Sequence, residues 1–296
     1  MMKNFHHVSL LTRHKEENLA FYTDLLGLRF VKNTINQENH RMLHYYYGDY
    51  QGSPGSVITF FVVPKLGNRY DNDHYLSTIG WNLPQGSLDF WVSRLKQSGI
   101  VADRQDNTLT FPDPDGVALV FVETDLEPIQ EEFSVESNIP ADKQLLGLRS
   151  IDFHVAQPQK TIDFFHQFLD WPTVDDTLTL NEQAYVRILP SNSTRPTHMG
   201  RGSIDHVAFA VKDEEALHQL HQKALNEQWQ VEQLVSRGYF KSLYLREPGG
   251  NRVEFATLGP GFTIDEDIDH LGETLALPPF LAKQRKEIEA HLYPEK

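Results

Sequence analysis

The chain has 296 residues, no cysteine and a formal net charge of −14. The missing cysteines exclude a disulfide framework, a thiolate metal site and a cysteine nucleophile, and the acidic balance speaks against nucleic acid and anionic membrane surfaces as partners. The longest apolar run, 57–63, is broken by Thr59 and is far too short to span a membrane, and the start Met-Met-Lys-Asn-Phe-His-His has no apolar signal core; the expectation is a soluble, cytoplasmic protein of about two domains.

Short strands alternate with single amphipathic helices along the chain. A strand over 5–11 leads to a helix over 15–26, with Leu19, Tyr22, Leu25 and Leu26 at helical spacing and Gly27 as the stop. Strands follow at 42–47 and 57–63. A second helix over 87–98 carries Leu88, Trp91 and Leu95 on one face, with Ser87 as the expected N-cap and Gly99 past its end. Strands at 108–111 and 117–123 follow. Residues 124–147 lack periodicity and read as a linker. A strand over 149–156 then precedes a helix over 159–169, marked by Ile162, Phe165, Phe168 and Leu169 and closed by Trp171-Pro172. After strands at 185–189 and 203–211, Asp213 caps a helix over 213–226 with Leu217, Leu220, Ala224 and Leu225 on its apolar face. Strands at 241–246 and 252–257, a loop over 260–279 and a charged terminal helix over 280–292 complete the chain.

The pattern is one unit of strand, helix and about three strands, present four times. The turns before the last strands support true repetition. Pro54-Gly55-Ser56-Val57, Pro114-Asp115-Gly116-Val117 and Pro248-Gly249-Gly250-Asn251 fit one frame, and Ser150-Ile151-Asp152-Phe153 lies over Ser203-Ile204-Asp205-His206. The fold class is therefore α+β. Units one and two occupy 1–123, units three and four 148–259, and a terminal loop and helix 260–296.

Of 14 histidines, most have no partner that spacing identifies: His40, His44, His74, His198, His270 and His291 fall in this group, and His166, His218 and His221 sit on helices. His7 and His206 differ, because they hold comparable places on the first strands of units one and four. Glu254 sits between Val253 and Phe255 on the last strand of unit four. An unpaired carboxylate on a buried strand face is costly; a metal or a solvated Arg252–Glu254 face would each explain it. Two imidazoles and a carboxylate form the facial triad of non-heme iron oxygenases, although these residue types also suit Zn, Mn and Ni.

His6-His7-Val8-Ser9-Leu10, Ile204-Asp205-His206-Val207-Ala208-Phe209 and Arg246-Glu247-Pro248-Gly249-Gly250-Asn251-Arg252-Val253-Glu254-Phe255-Ala256-Thr257 resemble the vicinal oxygen chelate (glyoxalase, bleomycin resistance, extradiol dioxygenase) superfamily. Over nearly its whole length, including Gly259-Pro260-Gly261-Phe262 and Leu277-Pro278-Pro279, the chain is similar to the ring-cleaving hydroquinone dioxygenases of that superfamily. The resemblance implies four βαβββ units in two open barrels, with units one and four paired around the metal. Phe153 then takes the place of His206 in unit three, and Val120 that of Glu254 in unit two.

It further implies an Fe(II) enzyme, with Mn, Zn or Ni as alternatives in the purified protein, held by His7, His206 and Glu254. The reaction implied is extradiol-type cleavage of hydroquinone- or catechol-like aromatics by O₂, with quinone detoxification as a role by analogy. His6, Asp205, Arg237 and Tyr244 fall on the family's catalytic positions, and Ser9, Arg237 and Tyr244 on substrate contacts. Relatives commonly carry His-His where this chain has Asp205-His206. The strand pleat turns 205 from 206 and 6 from 7, so Asp205 and His6 reach the site only at a strand end or bulge.

Partners are then a small aromatic and O₂, with a homodimer left open. The rival reading is a glyoxalase-like isomerase or a metal-dependent thiol transferase. Such sites take a further carboxylate from the last strand of the partner unit, where this chain has Phe60 beside Phe61. A third reading, a module that sequesters aromatics, fits poorly with three retained ligands.

Overall fold

In the computed structural model, which describes residues 4–293, each unit is a strand, a helix and three strands. Unit one comprises β1 (Phe5–Thr12), α1 (Lys15–Ala20, continued by a wider turn over Phe21–Leu25), β2 (Arg29–Ile35), β3 (Leu43–Gly48) and β4 (Val57–Val62). Unit two has β5 (His74–Leu83), α2 (Leu88–Gln97), β6 (Asp103–Gln105), β7 (Thr108–Pro112) and β8 (Ala118–Glu123). Unit three has β9 (Leu148–Val155), α3 (Pro158–Leu169), β10 (Thr173–Val174), β11 (Thr177–Asn181) and β12 (Ala184–Pro190). Unit four has β13 (Ile204–Val211), α4 (Glu214–Asn226), β14 (Gln230–Ser236), β15 (Phe240–Arg246) and β16 (Arg252–Pro260). The terminal helix is shorter than its sequence pattern: a 3-10 stretch over Pro279–Gln284 precedes α5 (Arg285–Leu292).

The helix ends follow their local chemistry. The Asp213 side chain accepts from the Ala216 N–H and caps α4. Ser87 does not cap α2. Its hydroxyl donates to the Asp142 carbonyl, and Glu123 accepts from the Leu88 N–H in its place. β5 has a weak strand signature because Thr78 sits at φ 50° and breaks the register beside Ser77. β14 is an edge strand whose exposed and half-buried positions alternate, but its sequence Gln-Val-Glu-Gln-Leu-Val-Ser does not alternate between polar and apolar.

Two eight-stranded sheets result. One has the order β14-β15-β16-β13-β1-β4-β3-β2 and so joins units four and one. The other, β10-β11-β12-β9-β5-β8-β7-β6, joins units three and two. The first sheet curls into an open barrel. Glu38, in the loop after edge strand β2, accepts from Gln233 on the opposite edge strand and from Arg237 just beyond it, each at 2.8 Å. The helix-facing side chains of both sheets form one core: Phe165 of α3 lies 5.6 Å from Phe153 on β9 and 6.1 Å from Phe209 on β13, ring centre to ring centre. Burial of such rings on the convex faces supplies the main driving force and leaves the concave face of the first sheet for other side chains.

The C-terminal segment is bound to that barrel through a buried cation. Lys32 on β2 is fully buried, and its ammonium donates to Asp265 (2.7 Å), Glu266 (2.5 Å) and the Phe262 carbonyl (2.9 Å). Tyr239 donates to the other oxygen of Asp265. Phe262 is thereby packed against Tyr46 and Tyr239, and the Ala276 N–H donates to the Asn33 carbonyl. Removing one partner of a buried ion cluster leaves uncompensated charge. Lys32→Met is expected to lower stability by about 3–5 kcal/mol, read as a fall in the urea midpoint; an unchanged midpoint would show that the cluster does not hold the segment.

Candidate metal centre

The centre is built where β1, β13 and β16 lie side by side. His7 is opposite Ala208, Ser9 opposite His206, and Ala208 beside Glu254. Alternation along each strand turns His7, His206 and Glu254 to the concave face. The His206 Nε2 lies 2.8 Å from Glu254 Oε2, the His7 Nε2 lies 3.3 Å from the same oxygen, and the two Nε2 atoms are 3.4 Å apart. All three side chains are buried.

The hydrogen-bond network assigns both tautomers. The Thr257 carbonyl can only accept, so His6 carries its proton on Nε2, 3.2 Å away. His6 Nδ1 is then an acceptor, and the donor it meets at 2.8 Å is His7 Nδ1–H. His7 Nε2 therefore keeps a lone pair. On the other imidazole, Nδ1–H donates to Asp205 Oδ2 at 2.6 Å, which aims the second Nε2 lone pair at the same point. Two bulges make this possible. His6 is the extra residue on β1 between Phe5 and His7, and Asp205 is the extra residue on β13 between Ile204 and His206. A regular pleat would send both neighbours to the far face.

These donors fit a cation. Bonds of about 2.0–2.2 Å at right angles place ligand atoms about 3 Å apart, close to the triangle observed. Glu254 Oε1 has no hydrogen-bond partner among the described residues, and Oε2 meets only the two imidazoles. Burial opposes the ionisation of Glu254, but the two histidines outweigh it and hold the carboxyl well below its ordinary range. Burial also opposes a charge on His206, yet its bonds to Asp205 and Glu254 raise its pKa. Burial lowers that of His7, and Glu254 offsets this only in part.

A cavity of about 230 Å³ opens onto His7 and His206. Since about 150 Å³ accommodates benzene, one substituted ring fits. Phe61 and Phe240 supply apolar wall, and Asp205, Arg237 and Tyr244 supply polar wall. Arg237 precedes Gly238, whose φ of 81° makes the β14–β15 turn. Its Nε donates to the Tyr244 hydroxyl at 3.1 Å. Burial works against its charge, but Tyr244 and Glu38 more than offset that, so it stays cationic. Tyr244 lies between two guanidinium groups, with Arg252 4.4 Å and Arg237 4.9 Å from the ring centre. Burial, and then Glu254, keep its hydroxyl protonated.

Asp205, Arg237 and Tyr244 thus line the cavity, whereas two other expected site residues do not. Ser9 is fully buried and shares a 2.7 Å hydrogen bond with Thr59, away from the cavity surface. His6 faces a second, shallower pocket behind the ligands, beside Tyr239 and Phe262. Both its ring nitrogens are engaged, and burial, then the charge on His7, push its pKa down to about 3, so it orients His7 and is a poor proton carrier.

Two register assignments also shift. Thr59, opposite Ser9, and not Phe60, is the counterpart of Glu254 on β4; Phe60 points to the helices and packs on Tyr22. In the second sheet Ser150, opposite Gly80 and preceded by the extra residue Arg149, and not Phe153, holds the counterpart of His206; Asp152, two residues on, matches Ala208 and is neutralised by Arg187 with bonds of 2.7 and 2.5 Å. Arg187, beside Asp152, stands where Glu254 does in the first sheet, and Val120 lies beside Gly80; neither offers a metal-ligand atom. On the cavity wall, His44 and Tyr46 of β3 were not distinguishable in the sequence. Their alternation at i and i+2 on one strand was the available signal.

Comparison with known proteins places this geometry in a family. The model of the Glyoxalase/Bleomycin resistance protein/Dioxygenase superfamily matches residues 147–255. The chain is 34% identical to the Bacillus subtilis (strain 168) protein named "Putative ring-cleaving dioxygenase MhqA", with 99% of each covered. It is 27% identical to the chlorohydroquinone/hydroquinone 1,2-dioxygenase of Sphingobium indicum, covering 97% of this chain and 95% of that one. The crystal structure of a "putative dioxygenase" from Bacillus subtilis subsp. subtilis str. 168 superposes with a TM-score of 0.89 at 26% identity, covering 100% and 98%. Glyoxalase I from Zea mays shares the fold at a TM-score of 0.60 and 11% identity, covering 98% and 96%.

Metal binding must displace the proton that His206 holds with a raised pKa. Below that pKa, affinity for Zn(II) is expected to fall about tenfold per pH unit, and above it to level off. Calorimetry in buffers of different ionisation enthalpy reads the released proton. Asp205→Asn should move the fall to lower pH; an affinity independent of pH between about pH 6 and 8 would contradict the assignment.

Proposed function

Since the chain belongs to the glyoxalase/bleomycin resistance protein/dioxygenase superfamily, we propose that it is an Fe(II)-dependent, extradiol-type ring-cleaving dioxygenase for hydroquinone- or catechol-like aromatics. The observation that carries this reading is the donor set. His7, His206 and Glu254 converge on one point beside a ring-sized cavity, and the counterpart position on β4 holds Thr59 instead of a fourth carboxylate. The names of the relatives support the same chemistry.

When bound, Fe(II) supplies open coordination positions and a path for electron density from an electron-rich ring to O₂. The protein holds and shapes the reactants. Phe61 and Phe240 exclude water and clamp the ring. Tyr244 accepts from Arg237 and so has its own proton free to donate to an oxygen of the substrate. The Arg237 charge faces the cavity and stabilises negative charge that develops on oxygen. Asp205 acts through His206, whose Nδ1–H it holds, while Arg252 braces it from 3.4 Å. His6 does the same for His7 from the opposite side. The ring opens between adjacent carbons, and both oxygen atoms enter the product.

The test is anaerobic loading with Fe(II), followed by addition of a hydroquinone or a catechol in the presence of oxygen. Oxygen uptake with a new near-UV absorbing product is expected, and His206→Ala should reduce both to background. Absence of uptake with either ring, together with glyoxalase or thiol-transferase turnover on Zn(II) or Ni(II), would replace this reading by that of the isomerase or transferase.

A further inference from the structure

A chain of four hydrogen-bonded side chains starts behind the metal centre and emerges on the cavity wall at its far two members. The Tyr46 hydroxyl lies 3.0 Å from His44 Nδ1, His44 Nε2 lies 2.9 Å from Thr59 Oγ1, and Thr59 Oγ1 lies 2.7 Å from Ser9 Oγ. All four residues are buried. The register aligns them: Tyr46 is opposite Thr59, Thr59 beside Ser9, and Ser9 opposite His206. Because the sheet curls, this row runs from a metal ligand at one end to Tyr46 at the other, and both His44 and Tyr46 line the cavity that His206 lines. Phe61, 4.1 Å from the His44 ring centre to centre, packs beside them.

Hydrogen-bond direction in this row is reversible. A neutral imidazole has one donor and one acceptor, and each hydroxyl can do either. If Tyr46 donates to His44, then His44 donates to Thr59, Thr59 to Ser9, and the Tyr46 oxygen offers lone pairs to the cavity. If Ser9 donates to Thr59, the row runs the other way and Tyr46 points its proton into the cavity. Burial, helped by the charges of His7, His206 and Arg237, keeps His44 neutral and so keeps both senses open.

We propose that Tyr46, oriented by His44, is the specificity-determining contact for the ring oxygen remote from the metal centre. This rests on the dioxygenase reading and adds to it a residue pair that separates rings with a distal oxygen from rings without one. The reversible row lets Tyr46 accept from a distal hydroxyl and donate to a distal oxyanion or carbonyl. A site with a buried polar group discriminates strongly against a ligand that leaves it unpaired.

The experiment uses the full chain loaded with Zn(II), which binds phenols without redox turnover, and calorimetry with hydroquinone and with phenol. Wild-type protein is expected to bind hydroquinone about tenfold more tightly than phenol. Tyr46→Phe should remove that preference and leave phenol affinity unchanged. His44→Phe should do the same, and His44→Asn, which returns an acceptor near the place of Nδ1, should recover part of it. Equal affinity for the two rings in the wild type, or a preference that survives Tyr46→Phe, overturns the proposal while oxygen uptake on the Fe(II)-loaded protein still supports the dioxygenase. Failure to bind either ring, together with no oxygen uptake, overturns both.

Discussion

Two imidazole nitrogens and a carboxylate oxygen aimed at one point inside a protein are held together only by a shared proton or by a cation at their focus. His7 Nε2, His206 Nε2 and Glu254 Oε2 are arranged in this way, and much of the first barrel serves to keep them so. The Thr257 carbonyl fixes the proton on His6, His6 fixes the tautomer of His7, and Asp205 fixes that of His206. Each link engages a ring nitrogen away from the centre, so that His7 and His206 both turn Nε2 toward it. The cost of assembling unpaired donors is tolerable because the helix-facing side of the same strands buries Phe209, Phe255, Val207 and Val253 in the main core.

The bulges at His6 and Asp205 connect this chemistry to the fold. A regular antiparallel pair offers one site-facing residue in two. By adding one residue to each of β1 and β13, the chain brings a ligand and its orienting neighbour to bear on the same point from adjacent positions. In the second sheet the same architecture serves a different end. Ser150 sits where His206 would and Arg187 where Glu254 would, and Arg187 makes two hydrogen bonds to Asp152, so the face closes as an ion pair. Two related frames thus diverge through the residues on a single face, while the packing on the other face stays the same in kind.

Much of this was legible in the sequence. The four units, the four helices, the three residues His7, His206 and Glu254 that the structure brings together, and the need for a strand end or bulge at His6 and Asp205 followed from periodicity, turn residues and motif resemblance. What escaped was register. Turn alignment placed Phe60 where Thr59 stands, because a slip of one residue reverses the face of every side chain, and strand alignment placed Phe153 where Ser150 stands, because no local signal fixes the count across a bulge. The pairing of His44 with Thr59 is likewise a contact between neighbouring strands β3 and β4 at offset positions, which spacing along one strand does not reveal. Lys32 was hidden for a related reason: its counter-ions, Asp265 and Glu266, are far along the chain, in a segment without periodicity.

The strand order β16-β13-β1 has a consequence for how the protein comes into being. His7 belongs to the first strand and Glu254 to the last, and they meet only because the final unit docks beside the first one. Contacts between such distant parts of a chain form late, since closing the intervening loop is unfavourable until the rest of the structure rewards it. During synthesis the amino-terminal unit must therefore wait, with its ligand exposed on an unpaired strand edge, until nearly all of the polypeptide has emerged. On the proposed reading, metal capture by all three residues marks completion of the fold, and a shortened or misassembled chain has no triad with which to take the ion.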